Sequence, residues 1–138
     1  MRKFFILFIM TLTMFNCFCQ ETFDWSRVID AIIYVESRGN ENAVSADGTC
    51  VGPMQIKKIV VDDCNEYLSF LGVNKKYEYN DRYSTEKSKE MFILIQKRYN
   101  KSNNIEKAIR IWNGGCNYST QKTNSYFNKV IKKYGVNE

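Results

Sequence analysis

Residues 32–56, IIYVESRGNENAVSADGTCVGPMQI, constrain the fold more than any other stretch of the chain. They join an apolar helix that ends on a carboxylic acid to a turn-rich segment able to fold back over it. Trp25, Val28, Ile29, Ile32, Ile33 and Val35 recur at the three-and-four spacing of a helix that lays one face on a core. Glu36 stands four residues after Ile32 and eight after Val28, so its side chain leaves the helix on that inner face. Gly39, followed by Asn40, supplies the residue type that ends a helix in a left-handed conformation. A carboxyl held there loses water, which disfavours its charged form and lifts its pKa above the usual value of about 4.3. Glu36 is therefore a candidate general acid; the competing reading is a side chain that snorkels out at a frayed helix end.

The chain has no histidine, which excludes His-based triads, Cys-His dyads and the usual zinc sites. Chemistry must come from carboxylates, hydroxyls, amides or aromatic rings. Met1 to Cys19 reads as a cleaved secretory signal: Arg2 and Lys3 precede an apolar run from Phe4 to Phe15, shorter than the ~20 residues that span a bilayer. Cys17 and Cys19 are small residues at the cleavage positions before Gln20, whereas Asn16 before Cys17 fits a lipoprotein attachment signal badly. The expected product is a periplasmic or secreted protein of 119 residues, 20–138, enough for one domain and not two. Without Arg2 and Lys3 it carries 18 basic against 15 acidic residues, a balance of +3. That mild excess suits ordinary solubility or an anionic polymer, and lacks the basic stripe of a nucleic-acid binder.

Three cysteines remain after cleavage. Cys50 and Cys64 would close a 15-residue loop, a bridge worth about 3 kcal/mol in the chain-entropy model, with Cys50–Cys116 as the competing pairing. Asp47-Gly48, flanked by Ala43-Val44 and Thr49-Cys50-Val51, predicts a short hairpin over the Glu36 helix, broken by Gly52-Pro53. Further on, a helix carries Ile59, Val60, Cys64, Tyr67 and Leu68 on one face, and residues 72–83 read as a loop. Ser84 is the expected N-cap of a helix over 85–99, with Met91, Phe92, Leu94, Ile95 and Tyr99 inward. Asn104 caps a helix striped by Ile105, Ala108, Ile109 and Trp112 that stops at Asn113-Gly114-Gly115. The last helix, about 120–134, presents Tyr126, Phe127, Val130, Ile131 and Tyr134. The pattern is a predominantly helical α+β domain with a small β-hairpin, of lysozyme type.

Three strings stand in order: Glu36-Ser37 at a helix end, Gly52-Pro53-Met54-Gln55, and AIRIWNGG from Ala108 to Gly115. In this the chain resembles the soluble lytic transglycosylases and their goose-type lysozyme relatives, whose strings read Glu-Ser, Gly-Leu-Met-Gln and Ala-Tyr-Asn-x-Gly. The resemblance covers roughly Trp25 to Tyr134. It implies a lysozyme-like fold and cleavage of the β-1,4 bond between N-acetylmuramic acid and N-acetylglucosamine in peptidoglycan. Glu36 matches the family's single acid and base, and the muramic acid 6-hydroxyl serves as nucleophile, giving a 1,6-anhydro product with no metal or cofactor. Ser37, Gly52, Gln55, Trp112 and Asn113 become candidate substrate contacts, while Met54 is expected in the core.

For Ser37 and Gln55 the alternative is hydrogen bonding that stitches hairpin to helix; for Asn113 it is a helix cap. Pro53 stands where the family has Leu, and Trp112 where it generally has Tyr, so a tyrosine hydroxyl on the acid is not expected from that string. Trp112 either stacks on a sugar or packs. Tyr77, Tyr79 and Tyr83 are placed in a groove wall or a surface loop. The runner-up chemistry is hydrolysis, with Asp47 as the carboxylate that activates water, although Lys57 occupies the position where goose-type enzymes can carry Asp. A peptidoglycan-binding module without catalysis is the third reading. The expected partner is the glycan strand, engaged by a monomer; wall recycling, opening the wall for a secretion or conjugation apparatus, and attack on competitors all remain open.

Overall fold

Helix α1 (Ser26–Ser37) forms the axis of the molecule because its apolar stripe is continuous: Val28, Ile29, Ala31 and Ile32 are all buried. The structure is a computed structural model and describes residues 22–135; the expected leader, 1–19, lies outside the described residues. The helix ends as Arg38, ahead of Gly39, turns left-handed at φ 55° and its N–H closes on the Tyr34 carbonyl. Four more helices follow: α2 (Lys58–Phe70), α3 (Thr85–Tyr99), α4 (Ile105–Gly114) and α5 (Thr120–Gly135). α5 packs along α1 and α4, while α2 pairs with α3. Buried side chains from every helix, with Met54 and Ile56 between them, make one core running from Trp25 to Val130.

Local signals set the later helix ends. Ser84 accepts a hydrogen bond from the Lys87 N–H (3.3 Å) and Asn104 one from the Lys107 N–H (2.8 Å), each satisfying an orphan donor of a first turn. Gly115 closes α4 at φ 79°.

Four expectations are corrected. No strand forms among the described residues: the hairpin is reduced to isolated bridges, Val44 with Val51 and Val51 with Ile56. Gly52 and Gln55, at φ 79° and 51°, turn the chain before a second pair can form. The Cys50–Cys64 disulfide is absent, as is its Cys50–Cys116 competitor; the three cysteines among the described residues are free. Cys64 is buried on the α2–α3 side with its thiol donating to the Met91 carbonyl (3.6 Å), and burial pushes that thiol up to about 12, while Cys50 sits in the loop beside Thr49. Finally, Ile59 is 70% exposed and Val61 takes its place in the core. At 100° per residue Ile59 stands about 180° around the helix from Leu68, so both cannot face inward. Residues 72–83 are also less loop-like than expected, since Tyr79–Tyr83 form a 3-10 turn that buries Arg82.

Candidate active site

Glu36 is the penultimate residue of α1 and half-buried, as its place on the apolar stripe requires. Its carboxylate accepts a 2.6 Å hydrogen bond from the Tyr126 hydroxyl of α5, ninety positions away in sequence. Burial raises the Glu36 pKa above its ordinary 4.5, and the Tyr126 hydrogen bond opposes part of that rise. The same pairing drives the Tyr126 phenol well above its ordinary value, through burial first and then the adjacent carboxylate, so the phenol stays a donor. The arrangement is a carboxyl that keeps a proton to higher pH than a solvated one, with a neutral donor fixing one of its oxygens.

The segment after α1 is strapped over the helix end by the residues of the second string. Ser37 Oγ donates to the Pro53 carbonyl (2.9 Å) and accepts from the Gly39 N–H (3.1 Å), tying the end of α1 to the strap. Gln55 Nε2 donates to the carbonyls of Gly52 (3.0 Å) and Ala43 (3.3 Å), which leaves its Oε1 as the uncommitted end. Trp112 donates its indole N–H to the Met54 carbonyl (3.2 Å) and lies 5.2 Å from the Phe92 ring, while Met54 itself is fully buried. Helices α1 and α4 therefore hold consecutive carbonyls of one strap. Gly52 is buried with its α-carbon against the Arg82 carbonyl, so its missing side chain makes room for protein rather than for a sugar. Arg82 is pinned in turn, donating to the carbonyls of Tyr79 (2.7 Å) and Ile56 (3.1 Å). Asn113 is exposed near the end of α4.

Asp47 is committed to its own turn. Its exposed carboxylate accepts from Ser45 Oγ (2.6 Å), the Thr49 N–H (3.1 Å) and Thr49 Oγ1 (2.9 Å), the bonding of a tight turn. Those donors, Ser45 foremost, hold its pKa down to about 2. Tyr77 is buried, with its hydroxyl on Glu90 (2.8 Å), and Tyr79 reaches Asp62 on α2 (3.0 Å). Among the described residues no group of three or more Cys, Asp or Glu side chains is placed to hold a metal ion.

Comparison with protein families matches residues 18–135, or 118 of the 138, to the transglycosylase SLT domain. The chain belongs to that family. No curated protein and no solved structure matches it. Membership makes this SLT domain a peptidoglycan-acting protein of lytic transglycosylase type, with the lysozyme-like fold that its helices display.

Sequence reasoning placed Tyr126 on the inner face of the last helix and gave it no site role. The available signal was its hydroxyl, because a tyrosine buried in an apolar stripe needs a hydrogen-bond partner. Where the third string offers an indole, this SLT domain draws a phenol from the following helix. Tyr126→Phe removes the one contact that lowers the Glu36 pKa, so the pH at which the acid loses its proton should move upward. The loosened carboxyl should also cost roughly 10- to 100-fold in wall-lytic rate. A pH–rate profile of both forms on purified wall measures the two effects together.

Proposed function

We propose that this chain is a peptidoglycan lytic transglycosylase that cleaves the bond between N-acetylmuramic acid and N-acetylglucosamine with Glu36 as its single acid and base. The observation that carries this reading is the half-buried Glu36 carboxyl with Tyr126 at 2.6 Å, at the helix end where the family strings converge. Protonated Glu36 gives its proton to the glycosidic oxygen as the C1–O bond breaks. The resulting carboxylate takes the proton of the muramic acid 6-hydroxyl, whose oxygen closes onto C1 to form the 1,6-anhydro ring. Glu36 ends the cycle as it began, protonated. No second carboxylate, water or metal enters the balance.

Gln55 Oε1 and the exposed Asn113 are the side chains with hydrogen-bonding capacity left for an acetamido or hydroxyl group. Ser37, Gly52 and Trp112 act on the reaction through the strap they hold. The site of action is the periplasm or the exterior, reached through the amino-terminal signal.

The state of Asp47 supports transglycosylation over hydrolysis. A carboxylate held near pKa 2 by three donors is a poor base toward water. Asp47→Asn is accordingly expected to leave wall-lytic rate within about threefold, whereas a water-activating base would cost roughly 100-fold or more. Mass analysis of muropeptides released from purified wall decides the chemistry: non-reducing anhydro ends support the proposal, and reducing ends overturn it in favour of hydrolysis.

A further inference from the structure

Tyr126 reaches Glu36 from α5, a helix with a thin apolar hold on the core at that end. Its fully buried side chains are Thr123 and Val130, so the apolar one lies a turn beyond Tyr126 and the one before it is polar. Tyr126 and Phe127 between them are half-buried. So little buried apolar surface sets the position of a helix along its axis loosely, while a 2.6 Å hydrogen bond needs its partners held within about 0.5 Å. Polar contacts must supply the difference.

α4 supplies them from two residues one turn apart. Arg110 is buried although it carries a charge. One guanidinium nitrogen donates to the Thr120 carbonyl (3.1 Å) and to Thr123 Oγ1 (3.0 Å), and the group lies 4.4 Å from the centre of the Phe127 ring. Its Nε donates to Glu106 Oε1 (2.8 Å), an acid four residues back on α4 that stays exposed. Thr120, Thr123 and Phe127 recur at three and four residues, so a single planar fork grips two turns of one α5 face. Gly114 stands four residues after Arg110, on the same face of α4. An added Cβ there would lie 2.7 Å from Thr123 Cγ2 and 2.9 Å from Tyr118 Cβ. Thr123 is thus wedged between the Arg110 guanidinium and the bare backbone of Gly114, and its Oγ1 also donates to the Ser119 carbonyl (2.8 Å). Tyr126 follows Thr123 by three residues and leaves α5 about 100° around from the gripped Phe127. The far end of α5 is held separately, by Arg27 of α1 on the Tyr134 carbonyl (3.1 Å).

We propose that Arg110 is a positioning residue: with Gly114 it fixes the register of α5 on α4 that sets the Tyr126 hydroxyl against the Glu36 carboxylate. It acts through the helix, since its own hydrogen bonds go to Thr120, Thr123 and Glu106. Burial and the Tyr126 hydroxyl are what move the Glu36 carboxyl, so a slip of α5 is read at Glu36 as loss of the Tyr126 bond. The inference rests on the proposed role of Glu36 for its effect on rate, and not for its effect on the carboxyl itself.

The test titrates Glu36 directly, from the carboxyl resonances of protein carrying ¹³C-labelled Glu, with the Glu36 signal assigned by its loss in Glu36→Gln. Arg110→Met is expected to raise the midpoint by about half or more of the rise that Tyr126→Phe produces, and to lower the wall-lytic rate about tenfold. Thr123→Val keeps the volume and removes the hydroxyl; it should raise the midpoint in the same direction, and it carries the test if Arg110→Met does not fold. In the Tyr126→Phe background neither change should move the midpoint further. Arg110→Lys keeps the charge without the fork and should behave as Arg110→Met does. A midpoint unchanged by the Arg110 and Thr123 variants, or a rise that persists in full beside Tyr126→Phe, overturns the assignment. Recovery of the native midpoint with Arg110→Lys also overturns it, because the effect would then be one of charge acting through space. Val61→Ala, a core change on α2, controls for lost stability, and an equal rise there counts against the proposal in the same way. Titration needs no catalysis: if Glu36→Gln leaves lysis unchanged while the midpoints move as expected, the proposed function fails and the positioning of Tyr126 stands.

Discussion

Glu36→Gln should reduce wall-lytic activity by roughly 10³- to 10⁴-fold, the upper range for general acid–base catalysis, because one group serves both halves of the reaction. The fold should not suffer. Gln is nearly isosteric, and its amide oxygen can still accept the Tyr126 hydroxyl that now lies 2.6 Å from the carboxylate. A change in stability with the opposite sign is expected at neutral pH. Because burial raises the Glu36 pKa above 4.5, the folded chain holds this proton over a pH range in which the unfolded chain has released it. Stability of the native protein therefore falls, relative to the Gln variant, as pH rises from about 4.5 through the folded value, and stays level beyond it. Below pH 4 the two should coincide. Thermal unfolding from pH 3 to 8, paired with turbidity clearing of wall suspensions, reads both quantities. Unchanged activity would remove Glu36 from the mechanism and leave a binding module; equal stability at every pH would mean that the carboxyl is solvated.

Gly52→Ala should unfold the site rather than disable its chemistry. The residue sits at φ 79°, where a side chain costs about 1–2 kcal/mol, and an added Cβ would run into the Arg82 backbone carbonyl. Backbone that is itself tied down cannot yield: Ser88 Oγ donates to that same carbonyl at 3.1 Å, and the Arg82 guanidinium is bonded on two sides. Overpacking of this kind adds roughly 1–3 kcal/mol. The sum is about 3 kcal/mol, or a fall of roughly 10–15 °C in Tm for a domain of this size. Gly48→Ala is the control, since its φ is 71° but nothing lies within 4 Å of the added atom, and it should cost no more than about 1–2 kcal/mol. Equal losses in the two variants would assign the cost to backbone conformation alone. Lytic activity should fall with Gly52→Ala as well, because the strap presents Gln55 and the carbonyls that Ser37 and Trp112 hold.

Sequence alone determined the elements whose causes are local. Ser84 and Asn104 are read correctly as helix caps because a side-chain oxygen and a first-turn N–H are three residues apart. The position of Glu36 on a buried face follows from period alone, as does the burial of Met91, Phe92, Ala108 and Ile109. Three short strings were enough to point to the family to which the chain belongs. The Ile59 stripe, by contrast, was misread although period alone excluded it: Ile59 lies about 180° around α2 from Leu68, whereas Val61 shares the Leu68 face and is buried. Pairing of Cys50 with Cys64 looked favourable on loop entropy, which carries no information about which way two thiols point.

Only the tertiary structure decided what surrounds the acid. The hydroxyl on Glu36 comes from α5 and the carbonyl under Trp112 from the strap, contacts between residues 90 and 58 positions apart. Gly52 likewise owes its necessity to Arg82, thirty residues on, and not to the turn that its own sequence suggests. A helix period states which face is inward. It does not state which partner waits there, because that depends on how five helices pack side by side, and packing is a property of the whole chain.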